Sequence, residues 1–359
     1  MRIEIDANQL AVEAVEADDA TELMQLLHDR GNEIDSSRVD GMGLAHWAAF
    51  WGSVRSLSVL IASGCDLEHR AEGVDAGHPG LNPGSNPVLA GLVAARLTKR
   101  FRYRGHTPLM VAAERNGTEV LSLLRDAGVD LDFGDPNGGT ALMKAADAAA
   151  EAAVTFLVNA GADISVTDSY GNCALFFACR RGTAGTILSL LEKGADPWSA
   201  NRHGYTPFMA AAGHAATEIV ERIIEDHAGD AERINWSDED GCNPLFSAAV
   251  RGRVDTLRAL VRAGGFPGAV TKRGETLLIA ATKAGRERVC RVLIDEALVD
   301  ISARDRTGRT ALDYALLEGY DTIVEVLAEA GCERVAAVSA QLAGNARRII
   351  SGIGSNRNE

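Results

Sequence analysis

A glycine returns through this sequence at positions 105, 138, 171, 204, 241, 274 and 308, at intervals of 33, 33, 33, 37, 33 and 34 residues. No other feature narrows the possible folds as much. A unit this short cannot enclose a core of its own, so each copy must bury its apolar face against the copies before and after it. The period therefore predicts a linear array of helical units. The hydrophobic content of 46% supplies enough apolar surface for a continuous core.

The copy from Gly105 to Gly128 shows what each position is for. Gly105 suits a tight turn with positive φ, Thr107 offers a hydroxyl as helix cap, and Pro108 fits the first helical position, where its missing N–H has no partner to lose. Leu109, Ala112 and Ala113 give an inner helix one large and two small apolar groups, so neighbouring helices can approach closely. Gly117 breaks that helix. Val120, Leu123 and Leu124 then form the buried stripe of an outer helix, and Gly128 ends it in a left-handed cap.

These residues resemble the ankyrin repeat. Its Thr-Pro-Leu-His-x-Ala signature appears as Thr107-Pro108-Leu109-Met110, Thr206-Pro207-Phe208-Met209 and Asn243-Pro244-Leu245-Phe246, with looser copies opening at Thr140, Cys173, Thr276 and Thr310. The resemblance implies an all-α ankyrin-repeat solenoid of about nine helix-turn-helix units joined by short β-hairpin loops. In that family the signature histidine hydrogen-bonds between repeats. Here it survives only as His46, and Met, Phe, Ile or Asp takes its place elsewhere, which exchanges polar stitching for burial.

Along the chain, residues 1–35 read as a degenerate N-terminal capping repeat. Leu23, Leu26, Leu27 and Gly31 match an outer helix, while Glu16, Asp18 and Asp19 fall where later copies carry small groups or a glycine, as a solvent-facing end requires. Residues 36–68 form a repeat opening at Gly41. The interval from Gly41 to Gly105 is 64 residues, and the stretch 70–86 is dense in Gly and Pro, so 69–104 is an irregular insertion or a truncated repeat. Seven repeats fill 105–332. A short helix and a frayed tail are expected over 333–359.

The formal net charge is −14, and residues 1–35 alone contribute −8, with ten Asp or Glu against two Arg. That balance opposes bulk attraction to phosphate backbones. The first residues lack a secretory apolar region and no long apolar run occurs, so a soluble, monomeric, cytoplasmic protein without membrane insertion is expected. Six cysteines, at 65, 173, 179, 242, 290 and 332, sit singly with no Cys-x-x-Cys pair. They read as small core residues in a reducing compartment. His69, His78 and His106 bracket the insertion without ligand spacing, and neither metal nor cofactor is expected.

No nucleophile elbow, Walker loop, His-Glu-x-x-His or calcium loop is present, so no catalytic residue is assigned and the chain does not read as an enzyme. The resemblance implies a cupped binding surface, with hairpin tips as fingers and exposed inner-helix residues as the palm. Register places Arg102, Tyr103, Arg104, Tyr170, Arg202, His203, Tyr205, Lys272 and Arg273 on fingers, and Trp51, Arg115, Arg180, Arg181 and Arg251 in the palm. Trp198 and Trp236 lie on hairpin arms, as anchors for a partner or as braces for the hairpins.

Arg and aromatic residues concentrate interface energy. The expected function is thus a scaffold or adaptor that holds a protein partner, one presenting an acidic or extended segment, on its concave face. Two rivals stand beside it. In the first, the insertion forms the pocket of an enzyme or small-ligand module, with Lys99, Arg100, Arg102 and Arg104 receiving a phosphate. The second is nucleic-acid binding through the same basic run, with Phe101 and Tyr103 interleaved.

Overall fold

The structure is a computed structural model that describes residues 7–34, 43–71, 105–226 and 231–332. These fall into two compact units. The first runs to Ala178 and includes Gly185–Ala195; the second comprises Cys179–Ala184 and the chain from Asp196 onward. Residues 72–104 of the expected insertion over 69–104, with His78, and the expected C-terminal helix and tail over 333–359 lie outside the described residues.

Every named element among the described residues is a helix, and the helices come in inner–outer pairs. In the first unit these are Ala7–Glu16 with Ala20–Ile34, Leu44–Trp51 with Val54–Ala62, Pro108–Glu114 with Thr118–Asp126, and Ala141–Asp147 with Glu151–Asn159. Ala174–Arg181 and Ala184–Glu192 make the next pair, divided between the units. The second unit continues with Pro207–His214 and Thr217–Asp226, a short helix Ala231–Ile234, Pro244–Arg251 with Val254–Arg262, Leu277–Lys283 with Glu287–Asp295, and Ala311–Glu318 with Asp321–Glu329.

The repeating glycines do what their spacing predicts. All seven have positive φ, between 76° and 82°, the region that glycine enters without the penalty of a Cβ. Gly105 carries a second constraint, since a Cβ there would lie 2.6 Å from Cδ of Pro136. The caps follow as well. The hydroxyls of Thr107, Thr140, Thr206, Thr276 and Thr310 each accept the backbone N–H three residues on, and the Asn243 side chain accepts those of Leu245 and Phe246. Small inner-helix residues such as Ala112, Ala145, Ala211, Ala248 and Ala281 are wholly buried, which is how the helices pack so closely.

The hairpins close by a rule absent from the glycine pattern. Three residues before the glycine, a backbone N–H donates to the carbonyl one residue after it, in Asp135 to Gly139, Asp168 to Asn172, Asn201 to Tyr205, Asp238 to Cys242, Thr271 to Glu275 and Asp305 to Arg309. The side chain of that same first residue accepts two further N–H groups. Asp135 takes those of Asn137 and Gly139, both at 2.8 Å. One hairpin also carries an isolated antiparallel bridge, Val270 to Thr276. Successive hairpins are laced by backbone bonds, Ser169 N–H to Asn137 in the first unit and Glu239 to His203, Lys272 to Asp240 and Arg306 to Arg273 in the second.

In the first helix pair, Asp18 ties that pair to the next one. It adopts the left-handed conformation, φ 52°, and its carboxylate accepts the Ser56 N–H at 2.8 Å. Asn116, with φ 62°, holds the Ala153 N–H at 2.8 Å in the same way. Both residues turn the chain between helices and also tie down the outer helix of the following repeat.

Candidate partner-recognition surface

In the first unit, inner-helix ends gather aromatic and cationic groups. Trp51, half-buried, stacks on buried Trp47 with ring centroids 4.7 Å apart and stands edge-on to Phe50 at 5.7 Å. Arg115, exposed just beyond the next inner helix, places its guanidinium 4.7 Å above the Phe50 ring. Trp51 and Arg115 therefore share one cluster through Phe50. Tyr170 projects from a hairpin tip and is 56% exposed. Arg102, Tyr103 and Arg104 lie outside the described residues, as do Lys99 and Arg100.

The second unit sets cations in register at the ends of consecutive inner helices. Arg180 and Arg181 are exposed in the last turn of Ala174–Arg181, His214 ends Pro207–His214, and Arg251 is exposed at the end of Pro244–Arg251. Gly182 lets two of these ends meet. A side chain at Gly182 would collide with the carbonyl of His214, and a Cβ at Gly213 would come within 3.4 Å of Arg251 Cγ. Arg253 reaches back to donate to the Ala215 carbonyl, and Arg286 does the same to Val250 at 2.8 Å.

Burial pushes the His214 imidazole below its ordinary pKa, and Arg251, Arg180 and Arg253 push it the same way. A helix C-terminus alone does the opposite, because its partial negative charge favours imidazolium. Here burial, the largest cause, and the three arginines act together to hold it low. Further along, Lys283 is engaged, 2.6 Å from Glu275 and 5.0 Å from the Tyr314 ring centroid.

At the tips, Arg202, His203, Lys272 and Arg273 are exposed, with His203 Nδ1 3.3 Å from a Glu239 carboxylate oxygen. Tyr205 turns inward. Its hydroxyl lies 3.1 Å from Ser247 Oγ, and burial pushes its pKa up. The two tryptophans differ. Trp198 is half-buried, 4.5 Å from buried Phe208 and faced by Arg233 at 5.8 Å, which is the geometry of a brace. Trp236 is 50% exposed while its Nε1 donates to the Gly204 carbonyl at 3.0 Å. Both line an opening of about 410 Å³ with Thr206, Glu232 and Arg233. Tyr170 belongs to the first unit and the other three aromatics to the second.

Sequence reasoning missed Arg253 and Arg233. For Arg253 the usable signal is its place directly after the inter-helix glycine Gly252, a place Arg286 repeats after Gly285. Among the described residues no group of His, Cys, Asp or Glu is arranged to hold a metal ion, and no helix is long and apolar enough to cross a membrane. None of the six cysteines is in a disulfide. His46 does make the inter-repeat bond that the family resemblance implies, its Nε2 donating to the His106 carbonyl at 2.9 Å.

The family model described as "Ankyrin repeats (3 copies)" matches residues 82–168, 109–201, 175–269 and 263–336, together well over half of the chain. The chain belongs to the ankyrin-repeat family. Ankyrin repeats are in general protein–protein interaction modules. Human ankyrin repeat domain-containing protein 63 is 31% identical over 127 residues, 34% of this chain and 33% of that protein. Putative glutaminase 2 of Caenorhabditis elegans is 31% identical over 101 residues, 28% of this chain and 17% of that protein. The ankyrin chain thus spans a third or less of the length of these relatives. The crystal structure of the human ASB11 ankyrin repeat domain superposes with a TM-score of 0.54 at 24% identity, covering 64% of this chain and all of that one.

Proposed function

We propose that this chain is a non-catalytic scaffold, cytoplasmic and monomeric, that binds a protein partner by laying an extended acidic segment along the inner-helix ends of the second unit. The observation that supports this most is the row Arg180, Arg181, His214 and Arg251, at the ends of three inner helices in a chain of net charge −14. Exposed Val250 and Leu317 add apolar surface at the ends of inner helices of the same unit. The laced hairpins hold Arg202, Lys272 and Arg273 on a preorganised frame, which lowers the ordering cost of binding. Cysteines without disulfides accord with a reducing compartment. The activity in the name of putative glutaminase 2 stays with that protein.

Affinity capture with the full chain, followed by mass spectrometry, names the partner. Repeating it with Arg180→Glu/Arg181→Glu tests the surface. Capture should fall by about tenfold or more, with helicity by circular dichroism unchanged. Undiminished capture by the charge-reversed chain would place the partner elsewhere.

A further inference from the structure

We propose that the hairpin tips of the second unit form a ridge that selects a protein segment by the order of its charges: acidic opposite Arg202, basic opposite Glu239 and Asp240, and acidic again opposite Lys272, Arg273 and Arg306. The proposal rests on the reading of this unit as a docking surface and adds to it a charge order that the partner must carry. Hairpin closure engages the side chain three places before each turn glycine, so the two side chains directly before the glycine are left to vary. In the first unit those places hold Pro136 and Asn137, then Ser169 and Tyr170, none of them charged. In the second they hold Arg202 and His203, Glu239 and Asp240, Lys272 and Arg273, and Arg306 and Thr307. All eight are exposed, and six carry a formal charge that closing the hairpin does not require.

The four tips are fixed side by side. The Glu239 N–H donates to the His203 carbonyl at 2.8 Å, that of Lys272 to Asp240 at 2.8 Å and that of Arg306 to Arg273 at 2.9 Å. A Cβ on Gly241 would stand 3.1 Å from the Lys272 nitrogen, and one on Gly274 3.0 Å from that of Arg306, so each tip is seated against the next. His203 Nδ1 lies 3.3 Å from a Glu239 carboxylate oxygen, an exposed pair that water screens. Among the described residues, the side chains of Arg202, Asp240, Lys272, Arg273 and Arg306 make no hydrogen bond or ion pair. Fixed charges of changing sign select by repulsion as well as attraction, because a like charge placed opposite one of them is costly. A uniform polyanion such as a nucleic acid meets Glu239 and Asp240 midway along the ridge, in a chain of net charge −14. A protein segment can place a basic residue there.

The test uses the full chain and labelled Gly/Ser peptides with one basic and three acidic blocks, either in the proposed order or with the basic block moved to one end. Fluorescence polarisation at low salt should show the proposed order binding about tenfold tighter than its rearranged counterpart, and an oligothymidylate binding more weakly still. Glu239→Lys/Asp240→Lys should reverse the preference toward a fully acidic peptide, with helicity by circular dichroism unchanged. Lys272→Glu/Arg273→Glu should weaken the proposed order by a similar factor. Equal binding of the two orders, a preference that neither pair of substitutions alters, or preferential binding of the oligothymidylate overturns the proposal. If capture depends on Arg180 and Arg181 while peptide order has no effect, the inner-helix surface stands and the ridge falls. If order acts as described while Arg180→Glu/Arg181→Glu leaves capture intact, the inner-helix surface falls and the ridge stands.

Discussion

The residue three places before each turn glycine from Gly138 to Gly308 closes its hairpin three times over, once through its own N–H and twice through its side chain. At Asp135 the carboxylate is buried and also meets Lys144 Nζ at 2.6 Å. Burial alone raises its pKa, but the Lys144 hydrogen bond and the N–H groups of Gly139 and Asn137 outweigh it and hold the carboxyl below the usual range. Asp135→Ala should cost about 1–3 kcal/mol in chemical denaturation at pH 7. Because the folded-state pKa is depressed, that stabilisation is present above the unfolded value near 4 and is lost as pH falls through the folded one. Measured against the variant, the difference should shrink only in acid.

His46 behaves differently. Burial, opposed by the His106 carbonyl and aided by His69, lowers its pKa to about 4. The unfolded chain takes up that proton first, so stability should fall between about pH 6.5 and 4, by on the order of 3 kcal/mol, and His46→Gln should flatten this slope. The glycines at 105 to 308 were legible in the sequence because positive φ excludes most other residues. The Asp, Asn or Thr three places before the glycines from 138 onward was not, since an acceptor for loop N–H groups looks like any polar loop residue until the hairpin has closed.

Helix pairs were legible for a similar reason, because cap, apolar stripe and terminating glycine act locally. The ties between successive repeats were not, because they join residues 36 to 38 positions apart. Asn116 illustrates the point. It combines a left-handed backbone with a side-chain acceptor for Ala153, so Asn116→Ala should cost about 1–2 kcal/mol and Asn116→Gly less, since glycine loses the bond without the backbone strain. Equal losses in urea titrations of the two variants would remove the backbone component. The tryptophans show how far sequence can go at this scale. Both sit on hairpin arms, yet only the packing of Trp198 on Phe208 separates a brace from the exposed Trp236. Trp198→Ala should therefore cost about 3–5 kcal/mol in stability, whereas Trp236→Ala should be far milder.

At the scale of the whole molecule, an acidic chain concentrates arginines on one set of inner-helix ends. Periodicity made the array legible, and register pointed to Arg180, Arg181 and Arg251. The approach of the Arg180 and Arg181 helix end to His214 depends on Gly182, where a side chain would meet the His214 carbonyl, a contact between repeats that no local pattern encodes. Affinity for the partner should weaken as salt rises, because exposed guanidiniums are screened beyond about 8–10 Å at physiological ionic strength; a salt-independent affinity in calorimetry would point instead to an apolar interface. The most direct measurement is arginine-selective labelling with phenylglyoxal, read by mass spectrometry, on the free chain and on its partner complex. Protection on binding should fall on Arg180, Arg181 and Arg251 while Arg125, Arg222 and Arg291 on outer helices stay reactive. Protection confined to the outer-helix arginines, with Arg180, Arg181 and Arg251 labelled as in the free chain, would contradict the account.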